Sequence, residues 1–345
     1  MNAEVQTPDE KLLALHKPVL EPLDRLDLAS EDWLVACGGF EDRALSILQS
    51  ASTRDPNVNL LLINYLPAVE QNKSDAIRAI ARSKSIKVVE TSYDRQEPTG
   101  FGEAFVEKVG GVQGRLFIDI SGMSRLLIVQ ILVSLSRRPT RFNNCYIVYT
   151  EAASYPPSES EALKQLSKSE LDPSYSIYFL SSGVYEVTLI PELSSCAPAG
   201  GQTRLVAFPS LDSHQLTALR AELQPSRISF IEGVPPEAHN RWRQKAIASV
   251  NRLDEMRSAE RYVVSTLNYE ETLECLLKVY SQHGVYERIL ISPTGSKMQS
   301  VAVGLFRAFI EDTQVVYPTP RDYLRPQKYT EGVGQKHVLP LALFS

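Results

Sequence analysis

Residues 34–45 read LVACGGFEDRAL, and the pattern returns without a gap at 205–216 as LVAFPSLDSHQL. Leu-Val-Ala opens both stretches, an acid follows at Glu41 and Asp212, then a basic or imidazole side chain at Arg43 and His214, then leucine. The correspondence continues in order. LLLINYLPAVEQNK (60–73) lies on ISFIEGVPPEAHNR (228–241), KVVETSY (87–93) on YVVSTLN (262–268), RLFIDISGMSRL (115–126) on RILISPTGSKMQ (288–299), and VYTEAASY (148–155) on VYPTPRDY (316–323). Both halves end in a glycine turn and a strand, SSGVYEVTLIP (181–191) and EGVGQKHVLPL (331–341). Ordered matches at similar spacing are the mark of an internal duplication, which has to be recognised before any single motif is interpreted.

Within each half, short apolar strands alternate with helix-period segments such as EDRALSILQSA, KSDAIRAIARS and FGEAFVEKV. That alternation predicts an α/β fold, a parallel sheet with helices on both faces. The expectation is two tandem Rossmann-like, doubly wound parallel-sheet domains forming an internal pseudo-dimer. Residues 1–23 form an N-terminal arm, 24–193 the first domain, 194–203 a linker containing CAPAGGQ, and 204–345 the second domain. The segment DISGMSRLLIVQILVSLSRR (119–138) is apolar nearly all round, so its helix should be covered on every side, near the contact between the two copies.

A chain of 345 residues exceeds one ordinary core and suits two domains. With 36 basic against 41 acidic residues there is no bulk attraction to nucleic acid or to an anionic membrane, so an anion site has to be local. Cys37, Cys145, Cys196 and Cys275 are scattered without a CxxC pair, which fits a reduced cytoplasm better than a disulfide framework. The strongest apolar run, Leu126–Leu135, is too short to span a bilayer, and the acidic N-terminus does not read as a signal peptide. Five histidines show neither HxxxH nor HExxH spacing, so neither a metal nor a cofactor is expected.

If each domain has strand order 3-2-1-4-5, ligands belong at the carboxyl ends of strands 1 and 4, where the order reverses. The loops there are CGGFEDR and DISGMSR in the first copy, FPSLDSH and SPTGSKM in the second. Gly39, Arg43, Ser121, Ser124 and Arg125 are ligand candidates in the first copy, and Thr294, Gly295, Ser296 and Lys297 in the second. The lysine is not part of a Walker A loop, because Leu290 stands where that loop needs its first glycine. Serine and glycine before a helix still offer amides and a positive dipole to an anion, although a plain helix cap explains them as well. The glycines could equally serve tight turns. Tyr149 and Tyr317 recur with Tyr155 and Tyr323 after strand 5, placed either to stack on a base or to sit in the core. Asn72-Lys73 and Asn240-Arg241 follow strand 2 as second phosphate contacts. Asp119 and Glu41 are the candidate catalytic bases. Glu41, Asp42 and Asp212 could instead cap helices, and Asp119 could be neutralised by Arg43 or Arg125.

The SPTGSKM loop, hydroxyl-rich and ending in lysine and methionine, resembles the Gly-Gly-Thr-Lys-type loop of CARF domains, Rossmann-like sensors of cyclic oligonucleotides in CRISPR-linked immunity. The first copy departs from the pattern, with Gly122-Met123-Ser124-Arg125 in place of a lysine loop. The resemblance implies a nucleotide-sensing module of a bacterial anti-phage defence system, with an anionic nucleotide as ligand and an effector or other subunit as partner. CARF-type domains commonly pair around a ligand, which implies that a tandem chain builds the pair internally. The residues leave two other classes open: a hydrolase or transferase acting at a nucleotide phosphate or glycosidic bond, and a scaffold subunit with empty crevices.

Overall fold

The computed structural model describes residues 6–53, 55, 57–138, 144–171, 177, 180–195, 201–323 and 329–341. Cys196 and residues 197–200 of the expected linker lie outside the described residues. The chain opens with α1 (Pro8–Ala14), whose start is fixed by proline at the first turn and a reciprocal cap between Thr7 and Glu10. There follow β1 (Glu21–Pro22), β2 (Asp27–Leu28), β3 (Trp33–Cys37), α2 (Ser46–Ser50), β4 (Ser52–Thr53), β5 (Asn59–Leu66), α3 (Ser74–Ser83) and β6 (Lys87–Asp94). Then come α4 (Phe101–Val109), β7 (Leu116–Asp119), α5 (Arg125–Ser136) and β8 (Cys145–Thr150). The chain continues through α6 (Glu159–Leu171), β9 (Val184–Leu189), β10 (Gln202–Ala207), α7 (Ser213–Leu223), β11 (Arg227–Val234), α8 (Trp242–Val250) and β12 (Glu260–Ser265). It ends with α9 (Tyr269–His283), β13 (Glu287–Ser292), α10 (Lys297–Phe309), β14 (Gln314–Pro320) and β15 (Lys336–Pro340).

Two parallel-rich sheets result. The first runs β6-β5-β3-β7-β8-β15-β1 and the second β12-β11-β10-β13-β14-β9. In each, five strands are parallel in the order 3-2-1-4-5, and the sixth is antiparallel. Strands β3, β7, β10 and β13 are buried along most of their length, the condition of parallel strands covered on both faces. On one face of the first sheet Leu34, Ala36, Leu60, Leu62, Phe117 and Val148 form the core with Ile47 and Ile77 from the helices. The matching positions Leu205, Ala207, Phe230, Leu290 and Val316 form the core of the second. Helix α5 is buried at every position from Leu126 to Leu135, as its all-round apolar sequence requires.

The sixth strands depart from the sequential division. Strand β9 follows the first half of the sequence yet pairs with β14, placing Thr188 opposite Tyr317 and Leu189 opposite Val316. Strand β15 follows the second half and pairs with β8, placing Val338 opposite Val148 and Leu339 opposite Ile147. The compact units are therefore 1–15 with 157–324, and 16–156 with 325–345, in place of the consecutive 24–193 and 204–345. Residues 1–23 are not one arm either. Helix α1 packs on α9 and α10 through the fully buried Leu12, whereas β1 pairs with β15. Among the described residues no helix is long and apolar enough to cross a membrane.

The exchange has a measurable consequence. Leu339 is 1% exposed in β15, and Leu339→Ala should cost about 2–4 kcal/mol through the cavity it leaves. Hydrogen exchange read by mass spectrometry should then show faster exchange in Cys145–Thr150, with Gln314–Pro320 unaffected. Loosening of 314–320 instead would mean that β15 closes its own half's sheet.

Candidate functional site

Strand order reverses between β3 and β7, and again between β10 and β13. In the first sheet the two loops at this point touch backbone to backbone. A Cβ on Gly39 would lie 2.7 Å from the Gly122 carbonyl oxygen, and one on Gly122 would lie 2.5 Å from that of Cys37. These glycines thus serve the approach of one loop to the other. Beside them Arg43, 3% exposed, is saturated. Its guanidinium donates to both Glu41 carboxylate oxygens from 2.9 Å, to the Tyr149 hydroxyl at 3.0 Å, to the Thr150 carbonyl at 3.3 Å and to the Tyr155 hydroxyl at 3.5 Å. Burial disfavours the Arg43 charge, but Glu41, Tyr149 and Tyr155 outweigh it and hold the group protonated well above its ordinary range. Burial also pushes the Tyr149 hydroxyl well above the usual tyrosine value, against the pull of Arg43.

Asp119, 2% exposed, accepts from the Ser121 amide at 2.9 Å, and the Ser121 hydroxyl accepts from the Thr150 amide at 2.8 Å. Ser124 caps α5 by accepting from the Leu127 amide at 3.3 Å, and its own amide donates to the Tyr65 hydroxyl at 2.5 Å. Tyr65 in turn donates to the Gly122 carbonyl at 3.3 Å, so this β5 side chain fills the space under the strand-4 loop. Asp42 pairs with Lys73 at 3.0 Å.

The second sheet builds the same corner with other atoms. The Thr294 hydroxyl donates to the Phe208 carbonyl at 2.7 Å, joining the strand-4 loop to the strand-1 loop. Ser296 caps α10 reciprocally with Gln299, and its hydroxyl donates to the Thr266 carbonyl at 2.5 Å. Gln299, 2% exposed, uses Oε1 for that cap while its Nε2 finds no acceptor among the described residues. Gly295 is bare because a Cβ there would meet the Gln299 side chain. His214, at the position of Arg43, sets its Nε2 3.1 Å from the Ile177 carbonyl. The gap bounded by Phe208, Asp212, Leu216 and Thr294 has no room for a water molecule.

One contact recurs in both sheets. The Thr330 hydroxyl donates to Glu41 at 3.2 Å, and the Ser181 hydroxyl donates to Asp212. Each hydroxyl stands two residues before a glycine of positive φ, Gly332 or Gly183, and so just before an exchanged strand. The Glu331 amide then donates to the Ser154 carbonyl, and the Ser182 amide to that of Asp322, both at 3.0 Å.

The structure brings Gly39, Arg43, Ser121, Ser124 and Tyr149 into one corner, with Arg125 opening α5; Thr294, Gly295, Ser296 and Lys297 form the counterpart at α10. Tyr317 lies in β14, 5% exposed. Arg43 takes Glu41 and the two tyrosines as its partners. The gap-free pairing of Ser124 with Lys297 shifts by one, since the helix caps are Ser124 and Ser296 and the first helical residues are Arg125 and Lys297. Tyr65, Thr330, Ser181 and Gln299 were not among the expected site residues. Only the repeat hinted at them, by setting Tyr65 on Gly233 and by repeating the closing glycine turns. Among the described residues no group of three or more His, Cys, Asp or Glu side chains is arranged to hold a metal ion.

No protein-family model matches the chain, and no curated protein matches it. Solved structures give weak likenesses. The cytoplasmic domain of a prokaryotic cation chloride cotransporter is 10% identical over 84% of this chain and 95% of its own, with a TM-score of 0.24. Haemonchus contortus phosphoethanolamine N-methyltransferase 1 is 8% identical over 90% and 77%, with a TM-score of 0.21. A ketoreductase domain from the bacillaene assembly line is 10% identical over 87% and 71%, also at 0.21. TM-scores this low carry no argument about fold or activity.

The buried pair allows a test of what holds the first corner. Glu41→Ala leaves the Arg43 charge without its carboxylate and should cost about 3–5 kcal/mol in denaturant unfolding, while Glu41→Leu with Arg43→Met should recover most of that loss. A cost below about 1 kcal/mol for Glu41→Ala would place the pair in solvent.

Proposed function

We propose that the protein is a nucleotide-binding or nucleotide-sensing module made of two tandem Rossmann-like domains, an internal pseudo-dimer whose ligand sites lie at the loops after the first and fourth parallel strands. The observation that carries this reading is the repeated corner. In both sheets the strand order reverses beside a helix capped by serine and opened by a cation, Ser124-Arg125 before α5 and Ser296-Lys297 before α10. Helix N-terminal amides and dipole favour an anion there, and the reversal is where open α/β sheets take ligands. The likeness of SPTGSKM to the CARF loop supports an oligonucleotide or nucleotide as the anion, a place in bacterial anti-phage defence, and an effector protein as partner.

Binding without turnover is favoured over hydrolysis or group transfer by the state of the two candidate bases. Glu41 is engaged by Arg43 and Thr330, and Asp119 accepts from the Ser121 amide. Both carboxylates are thus held by donors that belong to the fold, Glu41 by a guanidinium and a threonine hydroxyl and Asp119 by a backbone amide, which supports binding over base catalysis. Incubation with a panel of mononucleotides, dinucleotides and cyclic oligonucleotides, read by thermal shift and by chromatography of the products, tests this. The expected result is stabilisation of about 2.7 kcal/mol at a ligand concentration one hundred times Kd, with the nucleotide recovered intact. Product formation would move the protein to the hydrolase or transferase class, and no shift with any member would leave the scaffold reading.

A further inference from the structure

The two corners differ in charge and in packing. In the first, three acids, Glu41, Asp42 and Asp119, stand among the cations Arg43, Lys73 and Arg125, with Arg43 buried on Glu41 and Lys73 paired to Asp42. Tyr65 fills the space beneath the loop through bonds to Gly122 and Ser124. In the second, the repeat replaces Asp42 by Ser213, Asp119 by Ser292 and Tyr65 by Gly233. Only Asp212 remains of the acids, and the Ser181 hydroxyl donates to it. Arg241, which begins α8 as Lys73 begins α3, is exposed and makes no ion pair among the described residues.

A second kind of observation points the same way. Gln299 in the first turn of α10 is buried, and its Nε2 lies 3.2 Å from where a Cβ on Gly233 would stand, yet it has no acceptor among the described residues. The Ser292 hydroxyl, fully buried at the end of β13, also has no partner there. A buried amide donor without an acceptor is costly, and a phosphate oxygen at the helix N-terminus satisfies it.

We propose that the crevices are unequal: the second alone, bounded by the loops after β11 and β13 and the first turn of α10, takes the phosphate group of the ligand. The first is a closed structural counterpart. This rests on the anion-binding reading above, narrows it to one site and moves that site from the loop after β10, whose gap to Thr294 has no room for a water molecule, toward the loop after β11. Lys297 and Arg241 supply charge and Gln299 a neutral donor, whereas Arg125 and Lys73 belong to a corner whose acids offset them.

Calorimetric titration of the full chain with ATP and with pyrophosphate tests the asymmetry. One site per chain is expected, weakened about tenfold by Lys297→Ala and by Arg241→Ala and left within about twofold by Arg125→Ala and Lys73→Ala. Gln299→Leu, which copies Leu127 of the first corner, should also weaken binding, with its melting temperature measured alongside to separate loss of the cap from loss of the donor. Two equivalent sites, or a larger loss from Arg125→Ala than from Lys297→Ala, would overturn the inequality while leaving anion binding intact. Failure of both anions to bind the wild type would remove the anion-binding reading itself, and this inference with it.

Discussion

The sixth strand of each sheet arrives from the opposite half of the sequence, and the corner at the strand ends depends on that arrival. The hydroxyl that meets Glu41 belongs to Thr330, and the one that meets Asp212 belongs to Ser181, each just before its exchanged strand begins. A carboxylate held out of water at this position requires donors; Arg43 supplies Glu41 with some from its own loop, and the Thr330 hydroxyl adds one that arrives only with the last strand. Pairing of β15 with β8, burial of Glu41 and saturation of Arg43 are therefore coupled. The same logic links β9, Asp212 and the start of α7.

That coupling turns residues of chemically reactive types on one another in the first corner. An arginine, a glutamate and two tyrosine hydroxyls within hydrogen-bonding reach resemble machinery, but each donor and acceptor is turned on the others. Burial raises the Tyr149 hydroxyl far from any useful proton-transfer range, and Arg43 stays charged at every accessible pH. Such a network fixes one arrangement of the loops. In the second corner Ser213, His214 and Ser292 stand at the positions of Asp42, Arg43 and Asp119, the loops are joined by hydroxyl-to-carbonyl bonds from Thr294 and Ser296, and the buried Gln299 Nε2 has no acceptor among the described residues.

Strand order and the two paired loops were legible in the sequence because parallel strands buried on both faces leave continuous apolar runs, and because the repeat printed the pattern twice. LVACGG and LVAFPS mark β3 and β10 correctly, and Gly122 and Gly295 mark the turns before α5 and α10. The strand exchange was not legible: an antiparallel closing strand has the same alternation whichever sheet it joins, and both SSGVYEVTLIP and EGVGQKHVLPL fit either edge. The close neighbour of Gly39 is not legible for a related reason, since the Gly122 carbonyl it approaches lies eighty-odd residues away in sequence. The one-residue shift at the caps followed from aligning glycines, when serine hydroxyls decide where the helices begin. Tyr65 could have been noticed as the aromatic set against Gly233, but its target, the Ser124 amide, is visible only in three dimensions.

The most direct test of the central claim is a crystal structure of the full chain grown with ATP. Phosphate density is expected at the first turn of α10, within hydrogen-bonding distance of Lys297 and the Gln299 amide, with an undisturbed Arg43–Glu41–Tyr149 cluster in the other corner. Phosphate density at Arg125 and Ser124, or a nucleotide seated where Thr330 meets Glu41, would contradict it.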